Sequence, residues 1–219
     1  MRSSISLGIL ELAAGAVLLC AVMTLWRHQV RAIVAMLRLQ GVSLAVVAAV
    51  LAWREHDPGL AYTAIVVLVV KAAFVPWLLL RVVRRNQRSR ETAPLVNVTA
   101  SLVAAAVLIV ISYVVSSKLT ALDPSVATRL APLGMATILV GYFMLVTRRR
   151  AVSQIVGLLL VDNGISLVTF LLSSGVPLIV ELGSSLDILL VVVVLQVLVV
   201  HASDQHGSFE LEEMKELHD

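Results

Sequence analysis

Cysteine and charge are both scarce in this chain. Of 219 residues one is cysteine, Cys20, and charged residues make up only 14%. A single thiol cannot close an intrachain disulfide, and no set of cysteines is present to hold a metal cluster. Haem, flavin and iron–sulfur signatures are also missing, so no cofactor is expected in this chain. The formal net charge of +3 does not point to nucleic acid. The basic residues sit in short clusters between apolar runs, where topology signals sit.

Apolar residues are what the chain has in excess. They account for 59% of it, against about 45–50% in a soluble globular protein, and the mean hydropathy is +0.98. A bilayer-spanning helix needs roughly 20 mostly apolar residues. The length leaves room for several such helices and for no soluble domain of any size. Seven apolar runs are legible: 5–26, 30–53, 59–81, 95–116, 129–147, 151–174 and 181–201. The expected fold is therefore all-α, a polytopic membrane protein with seven transmembrane helices. The first run resembles a signal peptide in length. Glu11 interrupts its apolar core, no small-residue cleavage site follows cleanly, and Leu19 before Cys20 is too large for a lipoprotein site, so the reading is an uncleaved first helix.

Several helix starts carry local signals. Asp57 precedes Pro58 and Asp123 precedes Pro124, an N-cap followed by a proline whose missing N–H would be unpaired in any case. Pro94 is expected to open the fourth span in the same way. Loop charge then sets direction. Arg27, Arg31, Arg81, Arg84, Arg85, Arg88, Arg90, Arg148, Arg149 and Arg150 follow spans one, three and five, whereas Arg2, Arg54, Lys118 and Arg129 lie on the opposite side. The positive-inside rule places the N-terminus outside and the C-terminus in the cytoplasm.

The second span contains QGVSL (40–44) and the sixth NGISL (163–167), each following a basic loop at a similar distance. This suggests two copies of a three-helix unit. The chain divides into an N-terminal unit (1–94), a linking fourth helix (95–128), a C-terminal unit (129–201) and a polar, acidic cytoplasmic tail (202–219).

Ionisable residues inside the spans are the candidate functional groups. A charge at a helix centre costs about 2.5–3.5 kcal/mol on insertion scales, which cancels several aliphatic residues. Asp162 lies near the middle of span six, with Ser166 one turn on and sharing its face. Lys71 lies near the middle of span three. Pro76, five residues later, strains that helix near the carbonyl of Ala72 and offers a polar landing point for water. Asp187 falls in the outer half of span seven, Glu181 at its outer mouth, Glu11 in the outer half of span one and Arg38 in the inner half of span two. Two readings compete. In one, Lys71 pairs with Asp162 or Asp187 only to hold helices in register, Glu11 and Arg38 snorkel to the interface, and Asn163 and Gln196 are interhelical hydrogen-bonding groups. In the other, Asp162, Lys71, Asp187, Glu11, Arg38 and Glu181 belong to a chain of protonatable groups, because carboxyls and amines withdrawn from water can exchange protons near neutral pH.

The stretches RRRAVSQIVGLLLVDNGISLVTF and PLIVELGSSLDILLVVVV carry a family resemblance, as do VVKAAFVPWLLLRVVRRN upstream and HGSFEL downstream. The chain resembles hydrogenase-4 component E over nearly its whole length. Its second half is similar to the K subunit of respiratory complex I and the C subunit of multisubunit cation/proton antiporters. The resemblance rests on VDNG and on the spaced Pro177, Glu181, Gly183 and Asp187. It implies a non-redox subunit of a complex-I-related nickel–iron hydrogenase in a bacterial or archaeal plasma membrane. Antiporter-like membrane subunits and the membrane subunit that docks the soluble arm would be its partners in the bilayer. The soluble hydrogenase and iron–sulfur subunits would be indirect partners, and no nucleic acid is implied. Asp162 and Asp187 would then be the two carboxylates of a proton path; Asp162 stands where the family pattern favours Glu.

Overall fold

A computed structural model describes residues 2–27, 29–85, 97–122, 125–148 and 151–172. These residues are helical throughout their ordered elements, with no strand among them. Helix α1 spans Arg2–Trp26 and α2 Val30–Glu55; α3 (Pro58–Val67), a π-helical segment (Leu68–Phe74) and α4 (Val75–Arg85) follow as one continuous rod; then come α5 (Val98–Leu122), α6 (Val126–Thr147) and α7 (Ala151–Leu172). Six helices among the described residues are long and apolar enough to cross a membrane, with the α3–π–α4 rod counting as one. The seventh apolar run, 181–201, lies outside the described residues, as do Pro94, Asp123 and Pro124. The protein is thus a multi-pass, all-helical membrane protein over the described part of the chain.

The starts of the helices follow local chemistry. Asp57 caps α3 through its Oδ1, which accepts from the Gly59 N–H at 2.7 Å, and Pro58 occupies the first helical position. The start of α6 corrects the expectation from Asp123. The capping residue is Ser125, whose hydroxyl accepts from the Thr128 N–H at 3.1 Å. An N-cap side chain serves the donors two or three residues on, and from Ser125 those belong to the helix that begins at Val126.

Helices α1, α2, α6 and α7 pack around the centre; the α3–π–α4 rod lies against α2, and α5 lies against α6 and α1. Of the α7 span 72% is buried, against 17% for α5, so α7 is the central helix and α5 a peripheral one. Lipid tails are as apolar as leucine, so close packing rather than escape from water must hold such helices together. A glycine seam between α6 and α7 meets this need. A Cβ added at Gly164 would stand 2.7 Å from the Ile138 nitrogen and 3.0 Å from the Gly134 oxygen; one at Gly141 would stand 2.9 Å from the Gly157 oxygen. The two antiparallel helices therefore touch backbone to backbone at Gly134–Gly164 and again at Gly141–Gly157.

Two apolar clusters divide the bundle along its length. One, containing Leu10, Leu44, Leu51, Leu167 and Phe170, lies toward the end at which α1 begins. The other, containing Leu25, Leu37, Leu79, Met144 and Leu160, lies toward the arginine-rich end. Arg148 ties that second end together by donating from its guanidinium to the Leu25 carbonyl at 2.8 Å. Between the clusters runs a thin polar layer.

Candidate functional site

Four helical rods meet in that layer: α1, α2, the α3–π–α4 rod and α7. Lys71 sits in the middle of the π segment, and its side chain is turned inward and buried. A π segment closes each backbone hydrogen bond over one more residue than an α-helix and is found at functional positions. Here the Val75 N–H reaches back to the Val70 carbonyl, five residues away. Pro76, next in line, has no N–H to offer, so the widened turn accommodates its ring where a regular helix would clash.

Lys71 Nζ lies 2.8 Å from Asp162 Oδ2 and donates to Ser166 Oγ at 2.5 Å. The Lys71 and Asp162 side chains are 5% and 9% exposed, so the pair is a buried one. Asp162 and Ser166 present both oxygens to the same ammonium because they stand one turn apart on α7. The α2 helix makes this approach possible. A Cβ at Gly41 would lie 2.7 Å from the Lys71 carbonyl carbon, so only glycine lets the π segment settle against α2 at this level.

A second polar link lies beside the first. Asn163 Nδ2 donates to Gln40 Oε1 at 2.8 Å, and Gln40 Nε2 donates to the Val17 carbonyl of α1 at 3.1 Å. Gln40–Gly41 and Asn163–Gly164 are corresponding dipeptides of the QGVSL and NGISL stretches. The two similar stretches thus face each other at one depth and join directly by a hydrogen bond.

A cavity of about 20 Å³ opens against this layer, lined by Leu37, Lys71, Pro76, Leu159, Asp162 and Asn163 among others. That is room for about one water. The ion pair therefore borders a space in which one polar molecule can sit, next to the backbone loosened by Pro76.

The structure brings together Lys71, Asp162 and Ser166, and with them Asn163. It does not bring in Glu11 or Arg38, both of which are on the exposed surface of the described bundle. Asp187, Glu181 and Gln196 lie outside the described residues. Gln40 and Gly41 are members of the site that were read from the sequence only as part of a repeat. Their signal was a glutamine and a glycine in the middle of an apolar span, matched 123 positions on by Asn163 and Gly164. Among the described residues no group of three or more His, Cys, Asp or Glu is placed to hold a metal ion.

No family model matches the chain, and no solved structure matches it. A protein of Mycobacterium tuberculosis described as the uncharacterized protein Rv0085 is 39% identical to it over 212 residues, which cover 96% of each chain. Identity at that level across nearly the full length of both leaves one conclusion: the chain belongs to the same family as this mycobacterial protein.

Proposed function

We propose that the chain is a non-redox membrane-arm subunit of a complex-I-like membrane-bound hydrogenase. In this reading the Lys71–Asp162–Ser166 cluster takes part in moving protons, or sodium ions, across or along the membrane as electrons pass through soluble partner subunits. The seven-span topology, with the N-terminus outside and the C-terminus in the cytoplasm, and the neighbouring antiporter-like subunits belong to the same proposal.

One observation carries it: a lysine and an aspartate, both buried, in contact at 2.8 Å at mid-span and beside a water-sized cavity. Each charge alone would be expensive in this place. Together they put a carboxylate and an ammonium in direct contact, the two groups a proton relay needs. Asp162→Asn keeps the shape and an acceptor for Lys71 and removes the carboxylate. It is expected to abolish proton transport by the assembled complex in membrane vesicles while all subunits still co-purify. Full coupling in that variant would refute the relay.

A second reading is favoured by the Gln40–Asn163 and Gln40–Val17 hydrogen bonds, which join α1, α2 and α7 without any titrating group. Here the polar layer only sets register, and the chain is a scaffold between antiporter-like subunits, either of such a hydrogenase or of a multisubunit cation/proton antiporter. Replacing Lys71 with Met and Asp162 with Leu together separates the readings, since a scaffold keeps ion transport and a relay loses it.

A further inference from the structure

A larger cavity, of about 330 Å³, lies at the end of the bundle where α1 begins, lined by Leu10, Leu51, Arg54, Glu55, Ser125 and Phe170 among others. It has room for on the order of ten waters. Arg54, Glu55 and Ser125 are exposed, whereas Leu10, Leu51 and Phe170 are 1%, 5% and 2% exposed. The cavity therefore has a polar mouth and runs down among core side chains.

Its depth relative to the ion pair follows from helix geometry. Phe170 stands one turn beyond Ser166 on α7, an axial rise of about 6 Å. Leu10 stands seven residues beyond Val17, whose carbonyl marks the polar layer on α1. Seven residues from Asn163 to Phe170 match the seven from Val17 to Leu10, so both floor residues are at about one level; below them lies a plug of buried side chains that includes Leu44, Leu167, Ala14, Val47 and Ala48, each 0% exposed. This apolar plug separates the floor of the cavity from the hydroxyl that holds Lys71.

The geometry points to an aqueous vestibule through which the Lys71–Asp162–Ser166 cluster exchanges protons with the compartment at the α2–α3 turn, with Leu44 and Leu167 the bulkiest side chains of the barrier on α2 and α7. When that barrier admits water, a hydronium gives its proton to the Asp162 carboxylate and is left as water. Lys71 stays an ammonium, and loss of the proton from Asp162 restores the pair. This rests on the relay reading and extends it, because the route it adds runs along the bundle axis rather than sideways to neighbouring subunits.

Thiol labelling tests the vestibule without reference to transport. In a Cys20→Ala background, single cysteines replace Leu51, Phe170, Leu167 or Val114, the last being 67% exposed on α5. The full chain, in membranes of the cells that express it with its partners, is treated with a membrane-impermeant methanethiosulfonate from the side of the α2–α3 turn. Cysteines at 51 and 170 are expected to react at least tenfold faster than those at 167 and 114. Reaction no faster than at 114 overturns the vestibule, whatever Asp162→Asn does to transport. The connection to the site is read separately, as proton leak in the same membranes. Leu44→Ala with Leu167→Ala is expected to raise the leak at least tenfold, and adding Asp162→Asn to return it to the starting level. A leak that does not rise, or that ignores Asp162, overturns the connection.

Discussion

Removing Lys71 and Asp162 one at a time and then together is expected to give a strongly non-additive result. Their charged atoms are 2.8 Å apart, and at an effective dielectric of 20 the attraction at that distance is about 6 kcal/mol. Withdrawing each ion from water costs several kcal/mol, so the pair as a whole contributes little net stability. The single changes are different, because each leaves an opposite charge buried without its counterion. Lys71→Met and Asp162→Leu should each destabilise the protein by about 3–5 kcal/mol, and the double variant by less than about 2 kcal/mol. The coupling energy should then be at least about 4 kcal/mol. Reversible unfolding in mixed micelles, followed by helix content, measures all four corners of the cycle. If the two single losses add to within about 0.5 kcal/mol of the double loss, the ion pair is not the link between the π segment and α7, and the site is wrongly built.

The glycines supply a contrast within one chain. Gly164→Ala is expected to destabilise by about 2 kcal/mol or more through overpacking, because its Cβ would sit 2.7 Å from the Ile138 nitrogen, whereas Gly15→Ala, with nothing within 4 Å, should stay within about 0.5 kcal/mol of wild type. Micelle unfolding reads both. Gly41→Ala should push the π segment away from α2 and lower transport while leaving the α6–α7 seam intact, a split visible by comparing transport with cross-linking between cysteines on α6 and α7. Asn163→Ala removes a neutral interhelical hydrogen bond and is expected to destabilise by about 1 kcal/mol, with transport reduced less than by Asp162→Asn. Asp57→Ala removes the α3 cap and should lower stability by about 1 kcal/mol without affecting transport.

Hydropathy made the spans legible because lipid imposes a length on every helix that crosses it, and six of the seven expected runs coincide with helices to within a few residues. The departures have local causes. Helix α6 starts at Val126, before its apolar run, because Ser125 caps it and exposed Arg129 adds a turn at the boundary. Lys71 and Asp162 stood out as charges in apolar helices, and Asp162 with Ser166 could be placed on one face by period. Which carboxylate Lys71 meets could not be read, since that depends on how helices rotate and slide against each other. The π segment was hidden for a related reason: Pro76 announces strain, but the strain can be relieved by a kink or by an extra residue in the turn. Gly41 and Gln40 looked like parts of a repeat, and only packing revealed that one admits a neighbouring backbone and the other bonds to its own counterpart.

The separation of Lys71 from its acceptor has a consequence for biogenesis. Lys71 and Ser166 are 95 residues apart, and ribosomes add about 5–20 residues per second. The lysine-bearing helix must therefore wait roughly 5–20 s for α7, with an insertion penalty of about 2.5–3.5 kcal/mol outstanding. Over that interval it is expected to rest against the translocon or an insertase rather than in open lipid. Nascent chains stalled before residue 162 should then be recovered with that machinery, and chains that never complete α7 should be recognised and degraded by membrane proteases.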